Sequence, residues 1–142
     1  MIDTRTAPYA ALLLRVTLGA LFLAHGSLKL FVFTPAGTAQ FFESLGLPPA
    51  LAYFTITAEL IGGFAMIIGF LSRWTALALI PILLGAILTV HGPAGFFFNN
   101  PNGGWEFLAL WIAGQFSVAL LGDGPFALRT RWSSPQLANA RT

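Results

Sequence analysis

The run FLAHGSLKLF, residues 22–31, sets an imidazole (His25) and an ammonium group (Lys29) one helical turn apart inside an otherwise apolar stretch. The apolar character extends on both sides to cover residues 8–33. At 1.5 Å per residue such a helix is about 39 Å long, enough to cross ~30 Å of hydrocarbon with tilt to spare. The rest of the chain agrees: 56% of its 142 residues are hydrophobic and only 8% are charged, whereas a soluble domain carries about 25% charge. Seven basic and five acidic side chains cannot cover a soluble domain of this size, so its surface is expected to face lipid.

Three further windows follow. Residues 51–71 are entered through Pro48-Pro49, which suits a helix start because the first turn cannot use the missing amide hydrogen. Residues 74–91 contain Pro81, and a kink is expected there. Residues 105–121 stop at Gly122-Asp123-Gly124-Pro125, a helix terminator. The runs are continuous rather than alternating over ~10 residues, which argues against a transmembrane barrel. The expected fold is a single-domain, all-α integral membrane four-helix bundle with a tail over 122–142.

The first apolar run is too long for the core of a cleaved leader, and it is expected to insert and stay. With four crossings the two termini and the turn at 72–73 share one side, which holds Arg5, Arg73, Arg129, Arg131 and Arg141. The positive-inside rule then places both termini in the cytoplasm. Loops 34–49 and 92–104 face outward. The first, TPAGTAQFFESLGLPP, reads as a short interfacial helix. The second, glycine-rich GPAGFFFNNPNGG, reads as a cover over what lies beneath it. Trp74, Trp105 and Trp132 fall at or beyond helix ends, where interfacial anchors gather.

A pI near 9.7 raises the question of nucleic acid, but the net charge is only +2 and no basic run exists, so none is expected as a partner. Without cysteine the chain has no thiol redox step, thiolate metal site or iron–sulfur cluster of its own. The two histidines are not paired with Glu-x-x-His spacing and are expected to differ in depth by roughly two turns, so neither a metal site nor haem is expected.

At about 100° per residue, Lys29 and His25 fall about 40° and 80° from Arg15 on one side of the first helix, and Gly19 and Gly26 fall within about 40° on its other side. A charge facing hydrocarbon costs at least ~2.5–3.5 kcal/mol, so this face should turn inward, although Arg15 and Lys29 are also near enough to the interfaces to snorkel. Glu59 lies mid-helix on the second span, with Gly62, Gly63 and Met66 on a neighbouring arc. Its candidate counter-ions within the spans are Arg15, His25 and Lys29. His91 and Glu106 stand at the outer ends of the third and fourth spans. Gln115 lies about 180° around its helix from Glu106 and is expected to bond elsewhere.

The set Arg15-x-x-x-Gly19-x-x-Phe22-x-x-His25-Gly26-x-x-Lys29, Glu59-x-x-Gly62-Gly63, Val90-His91 leading into Gly95-Phe96-Phe97, Gly104-x-Glu106 and Gly122-Asp123-Gly124-Pro125 resembles the DoxX family of small bacterial membrane proteins. The resemblance implies a four-helix bundle in the cytoplasmic membrane of a bacterium, and a label of oxidoreductase. Relatives are associated with thiosulfate:quinone oxidoreductase and with redox-stress or quinone-detoxification systems. It carries over Arg15, His25, Lys29, Glu59, His91 and Glu106 as the positions of interest.

The expected function is a membrane redox component or subunit that binds a quinone-like molecule in a pocket in the outer half. Glu59, His25 and His91 are the candidate catalytic groups, and Arg15, Lys29, Glu106, Phe97 and Asn99 the candidate ligand contacts. The cofactor is not fixed by the sequence, quinone being the candidate. An electron partner is required, either another membrane or redox subunit or a second copy of the chain. A non-catalytic scaffold and a small proton-coupled transporter are the alternatives.

Overall fold

The computed structural model describes residues 3–128. Arg129, Arg131, Trp132 and Arg141, used above for orientation and anchoring, lie outside them. The elements are α1 (Ala7–Ser27), α2 (Pro35–Ser44), α3 (Ala50–Ile68), α4 (Ser72–Ala86) and α5 (Glu106–Leu121), and no strand occurs among the described residues. Both α1 and α4 run on into one widened, π-type turn, Leu28–Val32 and Ile87–His91. These are closed by Phe33 N–H donating to Leu28 O at 2.9 Å and Gly92 N–H to Ile87 O at 2.6 Å.

Three of the helices are long and apolar enough to cross a membrane: Ala7–Val32, Ala50–Ile68 and Ser72–His91, counting the widened turns. The fourth, α5, is apolar but has 16 residues, about 24 Å of helix. The long helices pack in a cycle, α1 against α3, α3 against α4, α4 against α5 and α5 against α1, while α2 lies against α3 and the widened turn of α1. Between them sit Leu18, Phe22, Met66, Leu79, Leu83, Trp111 and Val118. Large apolar side chains such as Leu13, Phe31, Leu88, Leu110 and Leu120 point outward and are 69–80% exposed. That inside-out distribution is stable where the surroundings are hydrocarbon.

The closest approach is between α1 and α3. A Cβ built at Gly63 stands 2.7 Å from Gly19 O and 2.9 Å from Leu23 N, and one at Gly19 stands 2.7 Å from Gly63 O. Only paired glycines let the two backbones meet in this way.

Residues 122–128 fold back across the helix ends. Asp123 Oδ1 accepts from Ser72 N–H at 3.1 Å, and Leu128 N–H donates to Ile68 O at 2.9 Å. The first turn of α4 lacks a cap from its own preceding residue, Leu71, so Asp123 caps it from across the bundle. Asp123→Ala is expected to lower stability by about 1 kcal/mol, as loss of an N-cap does; thermal unfolding in micelles reads it.

The sequence placed the helices within three residues at most ends. The second was read too long: α3 stops at Ile68 because Gly69, at φ +75°, takes the left-handed cap.

Candidate functional site

The cavity lies at the end of the bundle that carries α2 and the 92–105 loop. Its volume is about 910 Å³, near the upper end of the range for small-molecule sites. Its wall is overwhelmingly apolar, with Phe41, Phe42, Phe54, Phe98, Phe107 and Trp111 among its aromatics. The polar side chains that reach it include His25 and Lys29 from the first helix, Glu59 from α3, His91 from the widened turn of α4 and Glu106 from the start of α5.

Glu59 and Lys29 form its inner ion pair. Lys29 Nζ donates to both carboxylate oxygens at 2.8 Å, with the Glu59 side chain 5% exposed and that of Lys29 20% exposed. Gly26 makes this register possible: a Cβ there would stand 3.2 Å from Glu59 Cβ and 3.0 Å from the Leu60 side chain. The wide turn that begins at Leu28 holds Lys29 in its first residues. Thr38 Oγ1 donates to Thr34 O at 2.9 Å and lies 3.4 Å from Lys29 O, tying α2 to the same turn.

The His25 ring opens to the cavity and meets Trp111 edge-on, with centroids 5.2 Å apart. Trp111 also contacts Phe22 at 4.7 Å and Phe107 at 5.6 Å, so one indole orders the apolar wall around the imidazole. His91 Nδ1 lies 2.9 Å from Gly103 O. A carbonyl oxygen only accepts, so Nδ1 carries a proton, and the neutral tautomer with this bond has its lone pair on Nε2. Glu106 Oε1 accepts from Phe98 N–H at 2.8 Å, which pins the loop over the cavity together with Trp105 N–H to Gly95 O and Glu106 N–H to Phe96 O, both 3.0 Å.

Five of the eight expected site residues, His25, Lys29, Glu59, His91 and Glu106, line this one cavity. The other three do not. Arg15 shares the inward face of α1, but sits 10–14 residues from His25 and Lys29, about 15–21 Å along the axis. It is fully buried and donates to Met66 O at 2.7 Å and Ile67 O at 2.6 Å, with Pro125 O at 3.4 Å. Those are last-turn carbonyls of α3, which favour a cation; Met66 O also accepts from Gly69 N–H at 3.2 Å, whereas Arg15 is the donor to Ile67 O. Arg15 is therefore a helix cap, and Lys29 is the counter-ion of Glu59. Phe97 and Asn99 are exposed and outside the cavity wall; Phe98, whose amide is pinned to Glu106, contributes to the wall's rim although its side chain is itself 71% exposed.

Sequence reasoning passed over Trp111 and the wall contributed by Thr55, Pro81 and Phe107. A buried tryptophan midway along an apolar helix carries no polar signal of its own. Gln115 bonds away from the cavity, as expected, its amide 3.7 Å from Met66 Sδ. Among the described residues no group of three or more His, Asp or Glu side chains is arranged to hold a metal ion.

Arg15→Met is expected to lower stability by about 1–3 kcal/mol, chiefly through the stripped Ile67 carbonyl, while leaving ligand occupancy of the cavity unchanged. Thermal unfolding read beside mass spectrometry of retained small molecules checks both halves.

The DoxX family model matches residues 10–92. "Putative oxidoreductase CatD" of Bacillus subtilis (strain 168) is 38% identical over 117 residues, 82% of this chain and 82% of that protein. "Inner membrane protein YqjF" of Escherichia coli (strain K12) is 30% identical over 118 residues, 82% of this chain and 87% of that protein. No solved structure matches.

Proposed function

The chain belongs to the DoxX family, and from that premise we propose that it is a component of a membrane redox system that binds a quinone-like ring in its cavity. It is a multi-pass protein of the bacterial inner membrane. In this reading α5 makes the fourth crossing and both termini face the cytoplasm, with Arg5 and Arg73 on that side. The cavity then opens beneath the periplasmic leaflet.

The observation that carries the proposal is one apolar cavity of about 910 Å³ into which two imidazoles, an ion pair and a carboxylate converge. A flat ring with two polar oxygens requires such a slot, with a few hydrogen-bonding groups set in an aromatic wall. His25 and His91 bond the ring oxygens. Glu106 at the rim and Glu59, held by Lys29, exchange the protons that accompany electron transfer. The chain has no cysteine and the described residues gather no cluster of three or more His, Asp or Glu side chains for a metal; electrons in this reading pass to or from a partner subunit. The oxidoreductase label of the Bacillus relative is consistent with that role.

The test is mass spectrometry of the intact protein ejected from native membranes. An aromatic quinone-type molecule retained by the wild type and lost from His25→Leu is the expected result. Protein free of any small molecule but bound to a second subunit, with Glu59→Gln behaving as wild type, replaces this reading with that of a scaffold.

A further inference from the structure

We propose that the cavity discriminates between redox states of its ring, binding the hydroxyl-bearing reduced form more tightly than the dione. The inference rests on the ring-binding reading above and on the donors and acceptors that the wall leaves free.

Most of the fixed polar groups present acceptors. Gly103 O takes the proton of His91 Nδ1, which leaves Nε2, the nitrogen farthest from the backbone, as an acceptor. Glu106 Oε1 is engaged by Phe98 N–H, and among the described residues its second oxygen has no partner. Thr89 Oγ1 spends its hydrogen on Gly85 O at 2.8 Å, so it too can only accept from a ligand. On the donor side, two of the three Lys29 N–H groups go to the Glu59 oxygens at 2.8 Å, which leaves one. His25 serves as either. A dione offers only acceptors and would face His91 Nε2, Glu106 and Thr89 lone pair to lone pair. A hydroquinone offers O–H to these same atoms and still accepts from Lys29.

Such selection is steep because a buried acceptor that loses its water without gaining a donor is penalised. A site built to bond a hydroxyl therefore rejects the analogue that lacks it more strongly than an apolar pocket rejects a change in size.

The experiment uses the full chain in lipid nanodiscs with tetramethyl-1,4-benzoquinone and its hydroquinone, whose fully substituted ring resists addition by lysine. Binding is measured anaerobically by equilibrium dialysis against empty discs. The hydroquinone is expected to bind at least about tenfold more tightly, and its dimethyl ether, which cannot donate, no better than the quinone.

Glu106→Gln supplies the reversal. Its amide oxygen must stay on Phe98 N–H, so the NH2 takes the place of the free oxygen and turns an acceptor into a donor. The preference for hydroquinone is expected to fall by about tenfold in this variant, with the loop contact kept. Equal affinities in the wild type, or tighter quinone binding, overturn the inference and leave ring binding intact. An unchanged ratio in both Glu106→Gln and His91→Leu also overturns it. Binding of neither probe above empty discs overturns ring binding itself.

Discussion

Glu59→Met is expected to lower the stability of the bundle by about 3–5 kcal/mol, the cost of leaving one member of a buried ion pair without its partner. Lys29→Met is expected to cost a similar amount, toward the upper end because the group it strands is Glu59, whose side chain is 5% exposed against 20% for Lys29. The double variant should lie within about 1–2 kcal/mol of the wild type, since two apolar chains of similar length replace two desolvated charges. Thermal unfolding of the three proteins in one detergent closes the cycle. Single variants that each cost under about 1 kcal/mol would mean that Lys29 reaches the interface alone and that the 2.8 Å contacts are incidental. The double variant separates stability from function, for it should fold and yet lose the retained molecule.

Gly63→Val is expected to abolish the folded bundle, a loss of more than about 3 kcal/mol. The new Cβ meets the Gly19 carbonyl and the Leu23 amide below 3 Å, and backbone atoms cannot rotate aside as a flexible side chain can. Relief requires α1 and α3 to separate along their line of closest contact, which also draws Lys29 from Glu59. Gly62→Ala meets Leu79 side-chain atoms at 2.8–3.1 Å, which repack, and should cost about 1–3 kcal/mol. Gly85→Ala is the control: its Cβ meets nothing within 4 Å, and alanine in place of glycine should add up to about 1 kcal/mol of helix stability. Monodispersity on size exclusion, followed by unfolding midpoints, ranks the three. A well-folded Gly63→Val would refute the close packing of α1 and α3.

Membrane residence, helical class and approximate helix ends are local sums, since each depends on the residues in one window and on the hydrogen bonds that hydrocarbon denies to an open backbone. Gly62-Gly63 and Gly122-Asp123-Gly124-Pro125 were likewise legible as close approach and helix stop. The inward face of α1 could be projected at about 100° per residue, and it holds for Arg15, Phe22 and Gly26, which are all buried. Beyond Ser27 the wide turn changes the angular phase, yet Lys29 still reaches the cavity and Glu59; which acid it meets there is what the projection could not supply.

What the sequence determined by itself is therefore an all-helical membrane chain with a small set of costly ionisable groups in its spans, because hydropathy and helical period are counted along one segment. Tertiary structure alone decided that Glu59 pairs with Lys29 and not Arg15, that Arg15 caps α3 at the far end, that Trp111 orders the wall beside His25, and that Phe98 in place of Phe97 and Asn99 borders the cavity. Those outcomes depend on the axial register between helices about 30–50 residues apart in the chain. That register is set by backbone contact between Gly19 and Gly63, by side chains of α3 packed on Gly26 and by one loop amide bonded to Glu106, none of which a single helical period can encode.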